Sequence, residues 1–128
     1  MCGIAGMLLL DERPVSEQLL RQMGQSQTHR GPDNLGTYIR DSAGFVHTRL
    51  SIIDLSEAGN QPYSDDEYVL CFNGEIYNYL DLRKELEADG VQFQSSSDTE
   101  VLFRCLVNRG VDATLKAIRG MFAFSFYD

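Results

Sequence analysis

Tyr68-Val69-Leu70-Cys71-Phe72-Asn73-Gly74-Glu75 is the stretch on which the fold turns. Five strand-forming residues run straight into Asn-Gly. That dipeptide is the strongest short hairpin signal, because both central positions of the favoured turn need positive φ. A strand over 68–72 that turns at Asn73-Gly74 predicts antiparallel pairing.

On the C-terminal side, Asn78 is placed to cap a helix with Leu82 and Leu86 four apart and Gly90 closing it. A short strand over 91–94 follows. Ser97-Asp98-Thr99-Glu100 has capping-box spacing ahead of the helical pattern Val101, Leu102, Cys105, Leu106, which Gly110 ends. A shorter helix over 113–118 and a strand over 121–128 come last. That final run is apolar and aromatic with no polar tail, and such an edge is a liability proteins usually cover. The expectation is therefore the front part of a longer protein, truncated on its C-terminal side.

On the N-terminal side, residues 3–10 predict a buried strand and 11–14 a turn. Ser16 caps a helix over 17–23 with Leu19, Leu20 and Met23 on one face. Gly31, Pro32 and Gly36 make 25–36 a loop. Strands are expected over 37–40 and 44–49, the apolar run 50–55 continuing the second. Residues 56–63 read as a loop and Asp65-Asp66-Glu67 as a solvated turn. Sheet-forming runs mixed with amphipathic helices and an antiparallel signal imply an α+β layered fold, one domain over residues 1–128.

A net charge of −8 leaves no basic stripe for phosphates, so nucleic acid is not an expected partner. The apolar segment 4–10 is too short for a bilayer, has no basic lead and runs into Asp11-Glu12-Arg13, so neither a membrane span nor a secretory signal is expected. Three cysteines without paired spacing argue against a disulfide framework or a structural zinc site. A cytoplasmic, reducing setting is the default.

Cys2 sits next to the initiator. Alone it reads as a strand residue. If Met1 is removed, Cys2 carries both a thiol nucleophile and a free α-amine that titrates near neutrality and can serve as base. Arg49, Asn73-Gly74 and Asp98 each have an ordinary explanation too: a strand-end arginine, a turn, a helix-terminal acid favoured by the helix dipole. Together they match one chemistry. Thiolate attack on a carboxamide creates an oxyanion that an Asn side-chain N–H and the following backbone N–H can stabilise. Arg49 offers a planar fork for a carboxylate, and Asp98 an acceptor for an ammonium. Carboxylate, ammonium and carboxamide on one small molecule describe glutamine.

Five ordered motifs carry a resemblance. They are Met1-Cys2-Gly3-Ile4-Ala5-Gly6, His29-Arg30-Gly31-Pro32-Asp33, Arg49-Leu50-Ser51-Ile52-Ile53-Asp54, Phe72-Asn73-Gly74-Glu75-Ile76-Tyr77-Asn78 and Ser97-Asp98-Thr99-Glu100. The chain resembles the glutaminase domain of glutamine-hydrolysing asparagine synthetases, which are class II glutamine amidotransferases of the N-terminal-nucleophile hydrolase type. The resemblance implies a four-layer αββα sandwich with two mainly antiparallel sheets. It implies that Cys2 attacks the glutamine side chain and that Asn73 and Gly74 form the oxyanion hole. It further implies that Arg49 and Asp98 hold the substrate ends, and that Leu50, Ser51, Ile52, Ile53 and Glu75 complete the pocket. Arg30 would support the site.

The same resemblance implies an ATP-dependent, Mg-using synthetase domain beyond these residues, which amidates aspartate with the ammonia. No cofactor or metal is expected within 1–128. Other readings stand beside it: a related amidotransferase with another acceptor, such as a sugar or peptide, or a non-catalytic domain that binds partners or forms a homodimer through its sheet edges.

Overall fold

The computed structural model describes residues 2–52 and 57–128. Its strands form two three-stranded antiparallel sheets, with helices on their outer faces. The first sheet has the order β1 (Gly3–Leu8), β3 (Ala43–Arg49), β2 (Asn34–Arg40). The second has the order β4 (Tyr63–Ser64), β5 (Val69–Ile76), β6 (Gly120–Tyr127). Helix α1 (Glu17–Gln25) packs on the first sheet, and α3 (Asp98–Arg109) packs on the second, with α2 (Tyr79–Ala88) and α4 (Val111–Ala117) against it. The four-layer α+β expectation is met.

Three apolar layers hold the four structural layers together. Leu20 and Val15 meet Val46 under α1. Ala43 and Phe45 meet Val69 and Cys71 between the sheets. Leu70, Phe72 and Ile76 meet Leu82, Leu86, Val101, Leu102, Phe103 and Leu106 beneath the other helices. Strand alternation produces this division, since odd and even residues of one strand face opposite layers. Each fully buried large side chain, such as Phe103 or Leu70, stabilises the fold by about 1.5–3 kcal/mol.

The stretch that predicts antiparallel pairing does pair antiparallel, but not by turning at Asn73-Gly74. Strand β5 runs through both residues to Ile76, and its partner is the distant β6, with Asn73 opposite Ala123 and Gly74 opposite Phe122. Gly74 serves a close approach here: a Cβ would collide with Met121 O and the Phe122 backbone.

Other local departures have equally local causes. Residues 91–94 form no strand, because Glu100 takes the Gln94 N–H at 3.0 Å. The capping box at Ser97 is half-formed: Ser97 Oγ accepts the Glu100 N–H, but the Glu100 side chain turns to Gln94 and Ser95. Asn78 stands at the start of α2 without capping it through its side chain, which instead ties Ala117 and Arg119. In α1 the buried face is Leu20 and Gly24, with Leu19 turned outward. Strand β3 ends at Arg49, and β2 starts at Asn34, earlier than the loop signals imply. The expected continuation over 53–55 lies outside the described residues.

Candidate active site

Strand alternation aims the expected site residues at one another. Ile4 of β1 packs between the sheets, so Cys2, two residues earlier, shares that face. Phe45 of β3 faces the same space, and so do His47 and Arg49. Val69 and Cys71 of β5 face it from the other side, and Asn73 continues their row. The rows end in one cleft of about 120 Å³, whose lining includes Cys2, Arg49, Leu50, Ile52, Asn73, Gly74, Glu75 and Asp98. Ser51 does not line it; its N–H donates to Asp33 Oδ2 at 2.8 Å, which pins the turn after β3. Ile53 lies outside the described residues.

The thiol is held in place by main chain. Leu50 N–H donates to Cys2 Sγ at 3.3 Å, and Sγ lies 3.6 Å from Leu50 O. Arg30 Nε donates to Cys2 O at 3.0 Å, which places that arginine in support of the strand start. The buried Arg49 donates through Nη1 to Asn60 Oδ1 at 2.7 Å.

Backbone alternation along β5 decides what faces the cleft edge. In an antiparallel ladder the N–H and C=O of one residue point to one neighbour, and those of the next residue to the other. Phe72 and Ile76 direct their N–H groups away from β6, and Gly74, of the same parity between them, does so too. Phe72 N–H goes to Gln61 Oε1 at 2.7 Å, and Ile76 N–H to Asp98 Oδ2 at 3.0 Å. The Gly74 N–H lies between them and opens on the cleft. The cleft thus holds a thiol, an Asn side chain and a backbone N–H, and such donors can stabilise an oxyanion.

Two titratable groups report on the interior. Asp98 is 5% exposed, and burial raises its pKa; N–H donors led by Ile76 oppose that, while nearby Glu75 adds to it. His47 is fully buried and lowered to about 4, by desolvation first, with Arg49 adding to the fall and the Phe72 carbonyl opposing it. It is therefore neutral, and since a carbonyl only accepts, its Nε2 carries the proton donated to Phe72 O at 3.1 Å.

Sequence reasoning missed Gln61, Thr99, Ser97, Gly59 and Met121, which also line the cleft. Gln61 lay in a stretch that reads only as a loop, and nothing in its neighbours announces a buried carboxamide. Among the described residues no group of His, Cys, Asp or Glu is arranged to hold a metal ion, and no helix is long and apolar enough to cross a membrane.

Fold and cleft define a four-layer domain that presents a thiol just ahead of a strand, at one end of two antiparallel sheets. The family model described as glutamine amidotransferase domain matches residues 1–128, and the chain belongs to that family. It is 45% identical to asparagine synthetase [glutamine-hydrolyzing] 1 of Bacillus subtilis (strain 168), over 100% of this chain and 21% of that protein. It is 40% identical to asparagine synthetase B [glutamine-hydrolyzing] of Escherichia coli (strain K12), over 100% of this chain and 23% of the relative. The chain thus spans about a fifth of the length of these relatives. Among solved structures, the glutamine phosphoribosylpyrophosphate amidotransferase from B. subtilis, complexed with ADP and GMP, superposes with a TM-score of 0.58 at 26% identity. That match covers 69% of this chain and 21% of the other.

Proposed function

We propose that this domain hydrolyses the side-chain amide of glutamine to glutamate and ammonia, with Cys2 as nucleophile. The observation that carries the reading is the meeting of Cys2, Arg49, Asn73, Gly74 and Asp98 in one cleft. Removal of Met1 leaves Cys2 with a free α-amine. That amine takes the thiol proton, and the sulfur attacks the amide carbon. The oxyanion accepts hydrogen bonds from the Asn73 side chain and the Gly74 N–H. The amine returns the proton to the leaving nitrogen, ammonia departs, and water hydrolyses the thioester. Arg49 holds the substrate carboxylate and Asp98 its ammonium, while the Leu50–Ile53 main chain and Glu75 shape the pocket.

Similarity to asparagine synthetases over the full chain, at higher identity than to the phosphoribosylpyrophosphate enzyme, favours aspartate as acceptor in the whole protein. ATP and Mg would act in its synthetase domain, in the cytoplasm.

The test is to incubate the purified protein with an electrophilic glutamine analogue and to measure intact mass and peptide map. A starting mass without methionine and one adduct on Cys2 is expected. A processed, folded chain that takes no adduct would sink the proposal.

A further inference from the structure

We propose that Gln61 is a positioning residue for this hydrolysis: its carboxamide replaces the backbone of a neighbouring strand and fixes β5 so that the Gly74 N–H faces Cys2. The inference rests on the glutaminase reading above and deepens it.

Strand β4 pairs Tyr63 with Leu70 and Ser64 with Val69. Continued two residues toward the N-terminus, that register sets Gln61 opposite Phe72. At that point the ladder changes character. Instead of main chain, the Gln61 side chain closes both bonds: Oε1 accepts Phe72 N–H at 2.7 Å, and Nε2 donates to Phe72 O at 3.0 Å. Nε2 also lies 3.4 Å from Thr99 Oγ1 at the start of α3. Gln61 is 6% exposed, so its donors and acceptor have no water to fall back on.

The substitution of side chain for backbone has a geometric consequence. A true strand would go on to pair with the next edge position and cover Gly74. A carboxamide imitates one residue of strand and stops. Phe72 is anchored, Gly74 is left facing the cleft, and Ile76 is anchored again by Asp98. The oxyanion donor is thus a gap of one residue between two fixed points. Without Gln61 the Phe72 N–H loses its acceptor and Phe72 O keeps only His47 Nε2, which loosens the peptide planes just ahead of Asn73-Gly74 while Arg49 and Asp98 still grip the substrate ends. The defect therefore falls on the transition state more than on binding.

The experiment is steady-state glutamine hydrolysis by wild type, Gln61→Met and Gln61→Glu, each normalised to Cys2 sites titrated by an electrophilic glutamine analogue. Normalisation cancels any difference in folded fraction. Gln61→Met fills the space without hydrogen bonds. Its kcat per site is expected to fall at least tenfold with KM within about twofold, against the ~10²–10³ that loss of a whole oxyanion donor costs. Gln61→Glu keeps an acceptor for Phe72 N–H but donates to Phe72 O only when its carboxyl is protonated. Its kcat relative to wild type should climb as pH falls from about 8 to about 6, a buried carboxyl titrating well above its usual range.

The ionisable groups around this position are His47 and Arg49 from β3, Cys2 ahead of β1, Glu75 on β5, and Asp98 and Glu100 on α3. All are shared with wild type; the one a carboxylate at 61 would perturb is His47, which shares Phe72 O with residue 61, and the uncharged Gln61→Met measured over the same pH range controls for it. If Gln61→Met does not fold, the Gln61→Glu ratio decides. An unchanged kcat in Gln61→Met, or a Gln61→Glu deficit that is flat with pH, overturns the inference. A wild type that hydrolyses no glutamine overturns the functional reading itself, and this inference falls with it.

Discussion

Asp98 and Glu100 stand two residues apart in the first turn of α3, both buried, and their environments push them in opposite directions. Burial raises Asp98, and the Ile76 N–H offsets only part of it. Burial would raise Glu100 as well, but it is overcome: the N–H groups of Gln94 and Ser95, the Ser95 hydroxyl and Tyr63 bring Glu100 below its ordinary value. Arg104 lies 3.6 Å from the same carboxylate. A buried charge surrounded by donors is part of the architecture. One held by fewer donors and lining a cleft is, on the proposed reading, completed by the substrate's ammonium.

Two isosteric substitutions separate the pair. Asp98→Asn keeps an oxygen for Ile76 N–H and removes the charge. Glutamine hydrolysis should lose about 10³-fold in kcat/KM, roughly 4 kcal/mol, mostly through KM, while Tm moves only a few degrees. Glu100→Gln should do the reverse. Its amide nitrogen would face N–H donors, costing about 3 kcal/mol and lowering Tm by about 10 °C. At a temperature where the variant is folded, kcat/KM should match wild type. Equal effects of both substitutions on rate and stability would abolish the distinction.

Acid sharpens the contrast through its sign. Glu100 is lowered in the fold, so the stability it confers is present above its ordinary range and drains away as pH falls through the folded value. His47, lowered from 6.5 to about 4, acts alike: the unfolded chain takes up its proton first, so stability falls between those two values by roughly 3 kcal/mol at most. Asp98 is raised and opposes them, its folded form holding the proton more tightly, so that its contribution weakens as pH rises through the carboxylate range. Urea midpoints at several pH values should decline below about pH 6.5 in wild type. In Glu100→Gln the same decline should be shallower.

The contrast also explains what could be read in advance. Most helices and several strands follow from periodicity and caps, because these depend on neighbours in sequence, and the Ser97 cap is such a case. The antiparallel frame, by contrast, was expected from a turn at Asn73-Gly74 that does not form. That Cys2, Arg49, Asn73 and Asp98 share one cleft was legible because together they suit one chemistry and because the motifs resemble a family. Asn73-Gly74 was misread as a turn, since its reason for glycine is the approach of β6, which enters the chain some 45 residues later. Gln61 was invisible for the same cause: its partners Phe72 and Thr99 are distant in sequence and meet it only once the sheets have packed.

Thiols give the smallest version of the comparison. Cys2 lines the cleft, whereas Cys71 lies between the sheets, fully buried and pushed up to about 12 by desolvation. Cys105 is buried too, and also raised by desolvation, with Arg109 opposing it. A thiol held protonated in an apolar layer neither attacks nor is attacked. Iodoacetamide should therefore place one adduct, on Cys2, in the native protein and reach all three cysteines only in denaturant. Cys71→Ala removes one buried sulfur and should cost about 1 kcal/mol with no change in kcat, whereas Cys2→Ala should leave stability alone and end hydrolysis. A Cys71→Ala variant that lost activity while keeping its fold would show that the space between the sheets, and not only the cleft at its end, takes part in the chemistry.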